Sequence, residues 1–262
     1  MVKSWSISRL EAYNRCPRKF KYEQLQKLCP ACFNGKLRGE FGASLFCDSC
    51  GEESPVPAPL KRGSEIGESL ELYVNGTTSD LHREIKHPKV IEIANDLRTK
   101  FEAGKVKTEH QMAFTREWEP CEYDDWDRAW LRVKLDVQVS ADGNAVEIVD
   151  WKTGGIDKKT GGVKADAKYD DQLNLYAVAV LSRYPSVERT NARLVFVDCG
   201  ARFDCIVERP SGSLTRADLA KAQVRWTKKA KALLSDKLFA PSPSPLCNYC
   251  PFSVKKEGPC QF

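Results

Sequence analysis

The stretch Ala145-Val146-Glu147-Ile148-Val149-Asp150-Trp151-Lys152-Thr153-Gly154 constrains the fold more than any other. Its β-branched residues alternate with polar ones, and a Thr-Gly-Gly turn signal closes it, so it reads as a strand. Side chains two apart on a strand point the same way, which puts Asp150 and Lys152 on one face. A carboxylate and an ammonium held together at a strand end can hold a divalent metal and activate a water. The bland reading is a solvated hairpin end.

Just upstream, Arg132-Val133-Lys134-Leu135-Asp136-Val137-Gln138-Val139 alternates in the same manner, with Asp136 among the polar set. The connector Ser140-Ala141-Asp142-Gly143-Asn144 is turn chemistry for a hairpin. Two neighbouring strands would then offer Asp136 and Asp150 to one ion, with Lys152 beside them. Further on, Tyr169 to Tyr184 reads as a helix that stacks Gln172 over Tyr176, four apart on one face.

The ordered set of Asp, then hydrophobic-Asp-x-Lys-Thr-Gly, then Gln-x-x-x-Tyr resembles the PD-(D/E)xK nuclease superfamily in its RecB-like exonuclease branch. The resemblance implies an α/β fold with a restriction-endonuclease-like core, a mixed central sheet flanked by helices. It implies that Asp136, Asp150 and the Trp151 carbonyl bind Mg²⁺ or Mn²⁺, that Lys152 orients the attacking water, and that Gln172 and Tyr176 position the strand. One departure stands out. Members of that branch carry Gly-x-x-x-His on an early helix, whereas here Gly63-Ser-Glu-Ile is followed by Gly67. Either another group such as Glu68 or Glu71 on the same helix completes the site, or water fills the position, or activity is reduced. His82, His87 and His110 lie elsewhere and read as surface or core histidines.

The cysteines are the second strong signal. The chain has 262 residues, 42% hydrophobic and 29% charged, with no apolar run approaching a membrane span. No apolar signal region opens it, so the expected compartment is the cytoplasm, with no membrane partner. In a reducing compartment, eleven cysteines read better as metal ligands than as disulfides. Cys29-Pro-Ala-Cys32 and Cys47-Asp-Ser-Cys50-Gly give C-x2-C-x14-C-x2-C, close to zinc-ribbon spacing. The intervening loop is too small to fold without metal. The ribbon is either purely structural or a DNA or partner contact through Lys36, Arg38 and Phe33 or Phe41.

Near the other end, Cys247-Asn-Tyr-Cys250 and Cys260 follow the linker Pro241-Ser-Pro-Ser-Pro245. With Cys16 they resemble the four-cysteine ligation of a [4Fe–4S] cluster in RecB-like nucleases, whose N-terminal entry also matches Ser6-Ile-Ser, a short helix and Cys16-Pro17. Four thiolates suit such a cluster, and zinc accepts the same set, so the donor atoms alone leave both open. The cluster would staple the two ends of the chain. The expected division is an N-terminal helix with the first cluster cysteine (1–28), a zinc-ribbon insertion (29–53), a nuclease core (60–240) and a cluster segment (241–262).

The remaining elements follow from periodicity. Ser8 and Glu11 form a capping-box pattern ahead of Leu10, Tyr13 and Phe20. Helices are expected over Leu60–Val74, Pro88–Phe101 and Leu214–Leu234, a strand over Glu109–Trp118, and a hairpin from Ala192–Asp198 and Arg202–Glu208. Trp118, Trp126, Trp130 and Tyr123 either stack bases or pack within the sheet. Cys121, Cys199 and Cys205 read as structural thiols.

Net charge is only +5, but basic residues cluster at Arg15/Arg18/Lys19/Lys21, Lys158/Lys159/Lys164/Lys168 and Arg225/Lys228/Lys229/Lys231, suggesting a phosphate-lined path. The resemblance implies a metal-dependent DNA exonuclease, often acting on single-stranded ends, in recombination, repair, phage DNA metabolism or CRISPR-type processing, with a recombination or replication protein as a possible partner. The alternatives are a non-catalytic DNA-binding protein on the same fold, or an interaction subunit of a helicase–nuclease.

Overall fold

The structure is a computed structural model that describes residues 2–40, 43–141, 144–157, 160, 162, 167–199 and 206–262. Phe41, the Asp142-Gly143 turn centre, Lys158, Lys159, Lys164 and the 202–205 half of the expected second hairpin, with Cys205, lie outside the described residues. The chain forms two compact units, one from residues 1–61 and 228–262, the other from residues 62–227.

The first unit carries both ends of the chain. Helix α1 (Ile7–Arg15) buries Leu10 and Tyr13. Its N-cap is Ser6, not Ser8, because the Ser6 hydroxyl accepts from the Arg9 amide three residues on. Cys16 breaks the chain direction with an extended backbone, and Pro17 opens the short α2 (Pro17–Phe20) at a position where no amide hydrogen is required. A π-helical turn, Lys21–Gln26, follows and ends at Lys27 in the left-handed region. The ribbon comprises β1 (Leu37–Arg38), β2 (Leu45–Cys47) and β3 (Glu53–Ser54), a small antiparallel sheet. Phe20, Tyr13 and Phe239 pack ring against ring, and Tyr22 packs on Phe252, so aromatic residues from both ends share one small core.

The second unit is built on a mixed sheet. Helices α3 (Ala58–Val74) and α4 (Pro88–Glu102) lead into β4 (Val106–Phe114), β5 (Pro120–Cys121), β6 (Leu131–Ala141) and β7 (Ala145–Lys152). Helix α5 (Ala167–Arg183) then crosses to β8 (Arg189–Phe196), followed by β9 (Glu208–Pro210), β10 (Leu214–Thr215) and α6 (Leu219–Ser235). The strand order is β10-β8-β7-β6-β4-β5, with β9 also paired to β8. Among the described strands only β7 and β8 run parallel, because the helix between them returns the chain to the same end of the sheet; the hairpins are antiparallel.

Alternation along β6 explains its placement. Leu131, Val133, Leu135, Val137 and Val139 are at most 3% exposed, and burying each such side chain stabilises by about 1.5–3 kcal/mol. Arg132, Lys134 and Asp136 lie on the other face. The expected strand over Glu109–Trp118 is shifted: pairing begins at Val106 and ends at Phe114, and Trp118 turns the chain with φ 64°. The last helix starts at Leu219 rather than Leu214, because Leu214 and Thr215 join the sheet edge beside Thr190 and Arg189. Cys199 is disulfide-bonded rather than a free thiol. Among the described residues, no helix is long and apolar enough to cross a membrane.

Candidate active site and cysteine centres

Register alone sets up the carboxylate pair. Antiparallel pairing runs to Val137 opposite Val149, and one further step sets Asp136 opposite Asp150. Asp150 is 1% exposed, and its Oδ2 meets the Lys152 ammonium as an ion pair. The Asp136 carboxylate accepts the Trp151 backbone N–H at 2.9 Å. Burial and the neighbouring Asp150 push the Asp136 carboxyl up to about 7, against the pull of Lys152, the Trp151 amide and Lys134. Burial likewise raises Asp150, opposed by Lys152. Two acids that resist ionising side by side suit a site completed by a cation.

Helix α5 supplies the rest. Lys152 Nζ donates to Gln172 Oε1 at 2.9 Å, and Gln172 Nε2 donates to the Tyr176 hydroxyl at 2.7 Å. Asp150, Lys152, Gln172 and Tyr176 therefore form one continuous polar chain, with Tyr176 buried. The structure brings all five expected site residues together. It adds Tyr169, whose ring lies 5.3 Å from the Lys152 ammonium and edge-on to Phe196. Tyr169 precedes Gln172 by one helical turn, so its face was readable from the same spacing.

Helix α3 approaches the strand exit at Gly63, where a Cβ would come 2.9 Å from the Thr153 hydroxyl and would make that side chain shift. Gly67 lies one turn on, on the same helix face, and a Cβ there would meet nothing within 4 Å. The expected histidine position is thus open space. Glu68 is exposed and Glu71 half-buried. Arg62, next to Gly63, pairs with Glu84 at 2.7 Å and with Asp198 at 2.6 Å, which ties the helix start to the end of β8. Sequence patterning held no signal for that ion triad, since its members are far apart in the chain. None of the histidines reaches the carboxylates: His87 caps α4, and His110 bonds Gln138 at 2.9 Å.

The two cysteine sets both assemble, in different ways. The Sγ atoms of Cys29, Cys32, Cys47 and Cys50 all lie within 4.8 Å of one another, with contacts of 3.6 Å and 3.9 Å. Four thiolates about 2.3 Å from one tetrahedral ion stand about 3.8 Å apart, so the donor set fits a single metal ion. Backbone amides of Asn34 and Gly35 pull the Cys32 thiol down to about 6, favouring the thiolate that binds metal. Gly35 is required there, because a Cβ would sit 2.3 Å from the Cys47 sulfur. Cys16, Cys247, Cys250 and Cys260 instead line one shallow recess, together with Tyr22 and Phe252. Amides already point at two of these sulfurs, Lys19 N to Cys16 at 3.5 Å and Ser244 N to Cys247 at 3.4 Å.

A family model, PD-(D/E)XK nuclease superfamily, matches residues 4–254. The chain belongs to the PD-(D/E)XK nuclease superfamily. Members of that superfamily use divalent metals, and DNA is the substrate the fold implies. Among solved structures, the chain is similar to the protein SSO0001 at 15% identity and TM-score 0.42, covering 97% of this chain and 85% of that one. It is also similar to a provisionally named exonuclease of Eubacterium rectale at 14% identity and TM-score 0.44, covering 95% and 87%. No curated protein matches it. The sheet of this PD-(D/E)XK protein, mixed and flanked by helices, agrees with the restriction-endonuclease-like core expected from its motifs.

Proposed function

We propose that this PD-(D/E)XK protein is a metal-dependent deoxyribonuclease acting as an exonuclease at DNA ends, with single strands favoured. The unbroken contact chain from Asp150 through Lys152 and Gln172 to Tyr176 carries the reading. A buried ion pair has no need of a glutamine and a tyrosine behind it unless the position of the ammonium matters. Asp136 and Asp150 would hold the hard divalent ion, Mg²⁺ or Mn²⁺. When bound, that ion supplies Lewis acidity at the phosphate and lowers the pKa of water. Lys152 is held at a fixed point by two acceptors, orients the attacking water and offsets charge building on the phosphoryl oxygens. Gln172 sets the ammonium's direction, and Tyr176 fixes the amide of Gln172. Trp151 donates its amide to Asp136 and so keeps that carboxylate turned toward Asp150.

In the same reading, Cys29, Cys32, Cys47 and Cys50 hold zinc, and Cys16, Cys247, Cys250 and Cys260, which line one recess, hold a [4Fe–4S] cluster through their four thiolates. The open space at Gly67 favours one second reading, a DNA-binding protein on a disabled nuclease fold.

Digestion of end-labelled single- and double-stranded DNA with Mg²⁺ or Mn²⁺ separates the two. Loss of label with wild type but not with Asp150→Ala supports the nuclease. DNA that stays bound and intact under either metal, in a preparation retaining its cluster absorbance, supports the second reading. Lys152→Ala is expected to lower cleavage at least about a thousand-fold while DNA affinity stays the same. Cleavage within ten-fold of wild type would remove Lys152 from its assigned role.

A further inference from the structure

Of the four aromatic residues between the end of β4 and the start of β6, three are settled by packing. Trp118 and Trp130 are buried and meet edge to face, and Tyr123 is half-buried. Trp126 is different: it is 65% exposed. It is also not loose. The Arg132 guanidinium stacks on its ring at 3.8 Å, and that guanidinium donates to the Tyr123 carbonyl at 2.8 Å and the Asp125 carbonyl at 3.4 Å. Asp125 further ties the loop by accepting the amides of Asp127 and Arg128. A large apolar ring is thus held rigidly in water on a nearly buried arginine, which covers one ring face and leaves the remainder open to a second planar group.

Its location gives the ring a use. Arg132, Lys134 and Asp136 alternate on one face of β6, so the Arg132–Trp126 stack lies on the face that carries the metal-site carboxylate. Asp136 lies four residue steps along the strand from Arg132, about 13 Å. Lys134 lies midway, half exposed and paired with Glu109. Glu122, Asp124 and Asp127, all exposed, flank Trp126 along the chain. They would repel a phosphate backbone passing directly over the ring while leaving a flat base free to stack.

We infer that Trp126, held on Arg132, is a stacking platform for an unpaired base of the DNA strand entering the active site, with Lys134 beneath the intervening phosphates. This deepens the proposed nuclease reading and rests on its DNA-binding part. The platform selects single strands. An unpaired strand can turn one base onto the indole and keep its phosphates over Lys134, whereas a duplex hides its base faces and brings a second row of phosphates to the acidic loop.

The test uses the full chain carrying Asp150→Ala, so that nothing is cut, with fluorescein-labelled oligothymidylate and a labelled duplex as probes. Adding Trp126→Ala is expected to weaken oligothymidylate binding roughly ten- to a hundred-fold and to leave duplex binding within about two-fold. Trp126→Phe should restore most of the loss, and melting should not move, because the ring is exposed. Unchanged oligothymidylate affinity would overturn the platform and leave Trp126 to a protein partner. Equal losses on both probes would overturn the strand selectivity. Failure of the nuclease reading shows separately, as absence of cleavage by the wild-type protein.

Discussion

The two units of this protein use charged ligands for opposite purposes. In the unit that carries both chain ends, regular structure is scarce: the ribbon strands span two or three residues, and the core is a few aromatic rings. In the proposed reading, metal bound by sulfur ligands would hold the fold together there. In the other unit, a mixed sheet with a deep apolar layer holds two acids where neither is comfortable. There the fold holds the ligands. Removing ligands should therefore destabilise the first unit and relieve the second, a difference in sign that direct measurements can break.

The largest effect is expected at Cys250. If Cys16 and the 247–260 segment share one cluster, they close a loop of about 230 residues, and a cross-link of that length removes on the order of 5 kcal/mol of chain entropy from the unfolded state. Cys250→Ala should abolish cluster absorbance and sharply lower the melting of the end-carrying unit, while hydrogen-exchange protection of β6 and β7 persists. Unchanged melting would show that the terminal set holds nothing together.

Cys47→Ser should do less. Its set closes a loop of about fifteen residues, which corresponds to about 3 kcal/mol. The expected result is loss of one zinc per chain and of amide protection confined to residues 29–54, with the cluster band intact. Loss of both metals together would show the two sets to be one cooperative device, which Phe33 packing 6.4 Å from Phe252 makes a fair way to challenge the comparison.

How far the molecule was legible from its sequence divides along the same line. Asp136, Asp150, Lys152, Gln172 and Tyr176 were readable because strand alternation and helical spacing are local rules that place side chains on faces. The ribbon tetrad was readable because its spacing is short. What escaped was set by contacts between distant segments or by competition between near-equivalent residues. Ser8 fits a capping box, yet Ser6 holds the cap because its hydroxyl meets the Arg9 amide. Leu214 fits the helical period, yet an edge position beside Thr190 draws it into the sheet. The Arg62, Glu84 and Asp198 triad has no signature at all, and four equivalent-looking aromatics separate into three packed rings and one exposed platform only through Arg132.

The carboxylates supply the opposite sign. Asp136 keeps its proton up to about 7 in the folded metal-free protein, against about 3.9 for the unfolded chain. Between those values the folded state binds more protons, so stability falls as pH rises through that window and levels off above it. Metal-free wild type should therefore melt lower at pH 8 than at pH 5, and Mn²⁺ should recover more at pH 8, where no proton has to be displaced. Asp136→Asn should flatten the pH dependence, raise melting at pH 8 and abolish cleavage. A variant that melts lower than wild type at pH 8 would show the acid to be a structural ligand after all.

The smallest effect tests whether anything but sulfur holds the chain ends. The Tyr13 hydroxyl donates to Asp236 at 2.8 Å. Burial first, then the Asp236 carboxylate, pushes that phenol up to about 12. Tyr13→Phe keeps the ring packing on Phe20 and Phe239 and removes one hydrogen bond to a charged group on a partly open site, about 1 kcal/mol. With the cluster in place, the loss should be a small shift in melting, because the ends are already tethered. In the Cys250→Ala background the same substitution acts on ends that find each other only through such contacts. A loss there no larger than in the wild-type background would mean that the cluster does not supply the tether, and the sulfur-held character of this unit would rest on the ribbon alone.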